Sequence, residues 1–188
     1  MFSLKQSLSA LLVFASASAV PAWSADAAAG AEKAQMCVGC HGPNGKSSNA
    51  QWPNLAAQQP PYLLAQMKAF KSGARSNPMM QSMAGNLNDQ DMENIAAYFA
   101  AQPAAKAGGD PALAKTGADK AGMCLGCHGA QGQGNMQIPR LAGQHPAYLA
   151  TQLKNFKSGS RESSHMQAIA ATLSEDDMKA LAAYFGSL

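Results

Sequence analysis

Apolar residues recur at helical spacing in three kinds of segment, and each kind occurs twice. Leu63, Leu64, Met67 and Phe70 line one face of a stretch opened by Pro60-Pro61 and closed by Gly73. Proline suits the first helical turn and glycine the position after the last, so a helix is predicted there. Met92, Ile95, Ala96 and Phe99 form a similar face behind Asn88, with Asp91 three residues on in capping-box position. Pro146 to Gly159 repeats the first pattern. Ser174, with Asp177 and the face Met178, Leu181, Ala182 and Phe185, repeats the second. A third helix is predicted from near Gly30, and again from near Gly117, toward the cysteines. No stretch alternates as a half-buried strand does, so the expected fold class is all-α.

The doubling is an internal duplication. Cys124 lies 87 positions after Cys37 (124 − 37), and GAEKA at 30–34 faces GADKA at 117–121. One residue is lost after the cysteines, and PNLAAQQPPYLLAQMKAFKSGAR (53–75) then matches PRLAGQHPAYLATQLKNFKSGSR (139–161) at an offset of 86 (139 − 53). LNDQDMENIAAYF (87–99) and LSEDDMKALAAYF (173–185) keep that offset. A repeat this long means two copies of one folded unit. The expected division is an export signal at 1–25 cleaved near Ser24, one domain at 26–102, a Pro/Gly/Ala-rich linker at 103–112, and a second domain at 113–188. The signal reading rests on Lys5, the short apolar run Leu11–Phe14 and the small residues after it. The alternative is an uncleaved anchor, against which stands the shortness of that run.

Composition sharpens this picture in two ways. The net charge of +3, with no basic stripe and no charged tail, offers no surface for nucleic acid. Aromatic residues make up only 6%, so each unit of roughly 80 residues has a thin core and needs a metal, a disulfide or a cofactor at its centre.

All four cysteines fall in the two heptads MCVGCHG (36–42) and MCLGCHG (123–129). Cys-x-x-Cys-His is the attachment signature of c-type haem. Two cysteines three apart on a helical turn present both sulfurs to one side for thioethers with the two vinyl groups, and the next residue brings an imidazole beneath the iron. Two covalently bound haem c groups are therefore expected, on Cys37 and Cys40 and on Cys124 and Cys127, with His41 and His128 as axial ligands. A Cys-x-x-Cys disulfide would close a tiny loop and has no use for the histidine. A thioredoxin-like pair needs a βαβ setting. A zinc site would have to draw all four cysteines together from two separate units.

The repeat also selects the sixth ligand. His145 and His165 face Gln59 and Met79, so neither has a counterpart. Unit one offers Met79, Met80 and Met83. Unit two offers only Met166 there, and 166 − 80 gives the offset of 86. Met80 and Met166 are the expected ligands, in the loop before the last helix, with His165 the alternative at unit two. Met67, Met83, Met92 and Met178 read as core. The carbonyls of Pro53 and Pro139 are candidate acceptors for the other ring nitrogen of His41 and His128. The repeated Gln58/Gln144, Tyr62/Tyr148 and Arg75/Arg161 are candidates either for haem propionates or for ordinary surface duty.

These heptads, with LAAQ and LAGQ, YLLAQMKAFKSGAR and YLATQLKNFKSGSR, and the two final helices, resemble the dihaem cytochrome c4 family. The resemblance covers nearly all of the chain after the signal. It implies two tandem class I cytochrome c-type domains about a pseudo-twofold axis, with the propionate edges meeting at the interface. In the family the axial methionine lies seven residues before the leucine that opens the last helix, which again gives Met80 and Met166. The function implied is periplasmic electron transfer to a terminal oxidase, and a quinol-oxidising complex is an expected donor. Peripheral membrane association stays open. His/Met ligation fills both axial positions, so the iron exchanges electrons and has no open site for substrate. The alternatives are the haem subunit of a flavin-containing dehydrogenase of the sulfide dehydrogenase type, and a dihaem peroxidase.

Overall fold

A computed structural model describes residues 25–188. The expected export signal lies outside these residues except for Ala25. The described chain is two helical units in tandem. Unit one contains α1 (Ala27–Lys33), α2 (Gln35–His41), α3 (Pro60–Ser72), α4 (Pro78–Gly85) and α5 (Asp89–Ala100). Unit two repeats them as α6 (Pro111–Lys120), α7 (Gly122–His128), α8 (Pro146–Ser158), α9 (Ser164–Ala171) and α10 (Glu175–Ser187). Among the described residues there is no strand, only an isolated bridge between Asn135 and Ile138.

The predicted punctuation is where the helices begin and end. α3 and α8 open on proline and stop at Gly73 and Gly159, which take φ of 79° and 78°. α5 and α10 carry complete capping boxes, Asn88 with Asp91 and Ser174 with Asp177. The helix expected to start near Gly30 begins earlier, at Ala27, and breaks at the fully buried Ala34 before resuming as α2. The break recurs at Ala121. α6 starts at Pro111 with Asp110 as its cap, inside the stretch expected to link the units. The rest of that stretch packs on unit two, where Ala107 and Gly108 donate to the carbonyls of Gly143 and Gly186.

Each unit is built on a crossing of its first and last helices, α1 on α5 and α6 on α10. Two glycines make the crossing close. A Cβ on Gly30 would overlap the Asn94 carbonyl, and one on Gly117 would overlap the Ala180 carbonyl. Ion pairs between Lys33 and Asp91 and between Lys120 and Asp177, at 3.2 and 2.7 Å, tie the same helices at their edges. Behind the crossings lie two small cores. The first gathers Leu63, Leu87, Met92, Ile95 and Phe99. The second gathers Leu149, Leu181 and Phe185 with two alanines. Gly117→Ala is expected to destabilise unit two by about 2–3 kcal/mol, because a backbone carbonyl cannot move aside as a side chain would. Gly85→Ala, where a Cβ meets nothing within 4 Å, is expected to be neutral or slightly stabilising. Thermal unfolding of the two variants checks both.

The units meet across a polar seam in which most contacts have a pseudo-symmetric partner; an exception is Asn54 Nδ2, which donates to the Gly143 carbonyl at 3.0 Å while its counterpart Arg140 turns its side chain to Ala142 of its own unit. The Arg75 guanidinium donates to Tyr148 Oη and Gln152 Oε1 of the other unit at 3.0 and 2.9 Å. Arg161 donates to Tyr62 Oη and Gln66 Oε1 at 2.9 and 3.0 Å. Each guanidinium also stacks on a ring of its own unit, Phe70 or Phe156. Gln59 Nε2 donates to the Gln133 carbonyl, and its counterpart His145 Nε2 bonds the Ser47 carbonyl, both at 2.9 Å.

Candidate haem sites

α2 and α7 are the two Cys-x-x-Cys-His segments folded as single short helices. Cys37, Cys40 and Cys124 are half-buried and Cys127 is exposed, and all four are free of disulfides. Among the described residues no three of His, Cys, Asp and Glu come together as a metal cage, so the zinc alternative lacks its geometry. Burial, reinforced by Cys40 alongside, pushes the Cys37 thiol up to about 11, and burial pushes Cys124 up as well. The sulfurs of this polypeptide are thiols, the form whose S–H adds across a vinyl double bond to give a thioether.

His41 and His128, at the ends of these helices, are 8% and 7% exposed. Nδ1 of His41 lies 2.9 Å from the Pro53 carbonyl, and Nδ1 of His128 lies 2.8 Å from that of Pro139. A carbonyl only accepts, so Nδ1 carries the proton and Nε2 keeps its lone pair for a metal. Burial lowers the pKa of both rings, which outweighs the opposing pull of the carbonyls and keeps them neutral. The last glycine of each heptad turns the chain away from the histidine. Gly42 and Gly129 have φ of 74° and 86°, and a Cβ on Gly42 would overlap the Lys46 carbonyl. Free sulfurs on one side of a helical turn, with a neutral, oriented imidazole next to them, fit a covalent haem.

Met80 and Met166 are not in loops. Each is the third residue of a short helix, α4 or α9, that the sequence pattern does not announce. Asn77 and Ser163 cap these helices, accepting from the Met80 and Met166 N–H groups at 3.0 and 3.4 Å. Both methionines are half-buried, while their neighbours Met79 and His165 are exposed. α4 packs on α3, and α3 supplies Leu63, Leu64 and Met67 to the cluster that includes Cys37. The candidate methionine of unit one thus sits on a helix packed against α3, and a cysteine of the heptad borders the cluster that α3 helps to build.

The repeated Gln, Tyr and Arg residues are all at the seam. Arg161 is only 9% exposed, and neither Arg75 nor Arg161 pairs with a carboxylate among the described residues. A buried cation calls for an anion, and haem propionates are anions of the right kind. Asn54 and Arg140 also take part through their main chains, and Asn54 adds a side-chain bond to the Gly143 carbonyl. Repeat alignment could not single them out, because their side chains differ.

Residues 27–102 match the family model described as Cytochrome c, and residues 112–185 match the one described as Cytochrome C oxidase, cbb3-type, subunit III. The chain is 42% identical over 178 residues to cytochrome c4 of Pseudomonas aeruginosa, across 87% of this chain and 89% of that one. The chain belongs to the cytochrome c4 family. The crystal structure of reduced recombinant cytochrome c4 from Pseudomonas stutzeri superposes with a TM-score of 0.80 at 40% identity, covering 87% of this chain and 98% of that one. The thiosulfate dehydrogenase electron acceptor of Stutzerimonas stutzeri is 37% identical over 177 residues, covering 85% of this chain and 82% of that protein. As a member of the cytochrome c4 family, the chain carries two covalent haem c groups, one for each Cys-x-x-Cys-His motif. It is a dihaem electron-transfer cytochrome whose partners are redox proteins.

Proposed function

We propose that this cytochrome accepts electrons in the periplasm from a quinol-oxidising complex and delivers them to a terminal oxidase, without turning over a substrate of its own. Thioethers to Cys37 and Cys40 hold the first haem, with His41 and Met80 on its iron. Thioethers to Cys124 and Cys127 hold the second, with His128 and Met166. The observation that carries this reading is the geometry repeated in both units: a neutral histidine with Nε2 free, and a half-buried methionine on a short capped helix. Two filled axial positions leave no coordination site for peroxide. The domains are taken as 26–102 and 113–188, with the joining stretch 103–112 packed on the second and holding the start of α6, so that electrons enter through one unit and leave through the other. Export follows from the leader at 1–25. No helix among the described residues is long and apolar enough to cross a membrane.

A second reading has its own support. The 37% identical relative is named as the electron acceptor of thiosulfate dehydrogenase, which favours a donor of the dehydrogenase class. One experiment separates the two. The oxidised cytochrome is offered to membranes supplying a quinol-oxidising complex, and the reduced cytochrome to membranes supplying a terminal oxidase. Turnover in both directions supports the respiratory role. Failure of the first together with rapid reduction by a thiosulfate or sulfide dehydrogenase replaces it with the second, and peroxide turnover well above that of free haem overturns both.

A further inference from the structure

We propose that Gln144 and Gln58 are positioning residues that tune the haem of the opposite unit, each acting through a single peptide group. The inference rests on His41 and His128 being the iron ligands.

The peptide joining Pro53 to Asn54 is bonded at both ends. Its C=O accepts the His41 Nδ1–H at 2.9 Å, and its N–H donates to Gln144 Oε1 at 2.8 Å. The peptide joining Pro139 to Arg140 repeats this in the other direction. Its C=O accepts the His128 Nδ1–H at 2.8 Å, and its N–H donates to Gln58 Oε1 at 2.7 Å. Gln144 Nε2 also donates to the Asn54 carbonyl, and Gln58 Nε2 to the Arg140 carbonyl, each at 2.9 Å. Each glutamine therefore grips both main-chain groups of one residue in the other unit. A backbone N–H and C=O can be matched by only one orientation of the amide, so its oxygen and nitrogen are assigned. Both glutamines are 6% exposed.

An amide whose N–H is engaged is a stronger acceptor at its oxygen, because hydrogen bonds in a chain polarise one another. A stronger acceptor draws the Nδ1 proton further from the ring and makes the imidazole a better donor to iron. That favours the ferric state. The wiring is crossed: the glutamine of unit two acts on the haem of unit one, and the glutamine of unit one on the haem of unit two. Each of the two histidines is two hydrogen bonds from a side chain of the other unit.

Gln144→Leu in the full dihaem chain fills the space and removes the acceptor. The expected result is a rise in the midpoint potential of the first haem, equivalent to at least about a threefold shift of its redox equilibrium, where tenfold is about 59 mV for one electron. In the ferrous protein the His41 Nδ1–H resonance moves upfield, as for a weakened hydrogen bond, while the His128 resonance stays in place. Gln58→Leu gives the mirror image. Gln144→Glu keeps an acceptor for the Asn54 N–H and so does not move the His41 resonance upfield. Met80→Ala and Met166→Ala assign the signals to their haems. Equal shifts in both haems under Gln144→Leu, or an unmoved His41 resonance, overturn the relay and leave the ligation intact. A wild-type ferrous spectrum without two strongly shifted methionine methyl signals contradicts the ligation itself and removes the relay with it.

Discussion

A chain in which Cys124 and Cys127 are both serine is expected to carry one haem instead of two and to lose the fold of its second unit. The buried cluster of that unit is Ala121, Leu149, Leu181, Ala182 and Phe185, and two of these five are alanine. A core in this size class supplies only about 3–5 kcal/mol by itself. Cys124, Leu125 and Leu141 pack at the margin of the cluster, so a haem attached at Cys124 would complete the core there. Without it, His128 is a buried ring with one bonded nitrogen, and α7 has little reason to stay folded. The first unit keeps its own cysteines and its larger cluster, including Met92 and Phe99, which are 0% and 1% exposed. The haem-to-protein ratio and the far-ultraviolet circular dichroism check this. One haem per chain with the helical signal of α6 to α10 lost is the expected pair of results, and one haem with full helical signal contradicts this dependence of fold on haem.

The second large effect is at the sixth ligand. Met80→Ala is expected to turn the ferric haem of unit one high-spin at neutral pH and to lower its potential, by on the order of 0.1 V within the roughly 0.8 V range that axial ligation spans. Thioether sulfur favours ferrous iron, and water in its place does not. The haem of unit two is left unchanged. Met166→Ala reverses the assignment. Fold stability changes little, because both methionines are half-buried on short helices at the edge of their units. His165 does not take over in Met166→Ala, since it is exposed and one residue away on the helix. Electron paramagnetic resonance of the ferric variants reads the spin states directly, and an unaltered low-spin spectrum in either variant sinks that assignment.

Much of the fold and of the candidate sites is legible in the amino-acid sequence. The offset of 87 changing to 86 separates the units, and Pro60, Gly73, Asn88 and Ser174 mark helix ends because they act through local backbone chemistry. The acceptor role of Pro53 and Pro139 follows from their repeated place after the heptad. Three features are not legible there. The break at Ala34 and Ala121 falls on fully buried alanines, and no proline or glycine common to both copies marks it. Helices α4 and α9 are eight residues long, too short for a periodic face, although Asn77-Pro78 is a cap followed by a first-turn proline. The seam is hidden because glutamine, tyrosine and arginine look alike whether they face water or another unit, and because Arg140 enters it through main-chain atoms and Asn54 largely so.

Two haems per chain, one in each unit and each closed by histidine and methionine, underlie the proposed electron transfer. A potentiometric titration of the intact protein, followed by absorbance with the spin state read at each end, tests it most directly. The expected result is two one-electron steps per chain, both irons low-spin in both oxidation states, and a sulfur-to-ferric-iron band that Met80→Ala and Met166→Ala each reduce by one haem's share. A high-spin ferric fraction in the wild-type protein at neutral pH, or a single electron per chain, contradicts it.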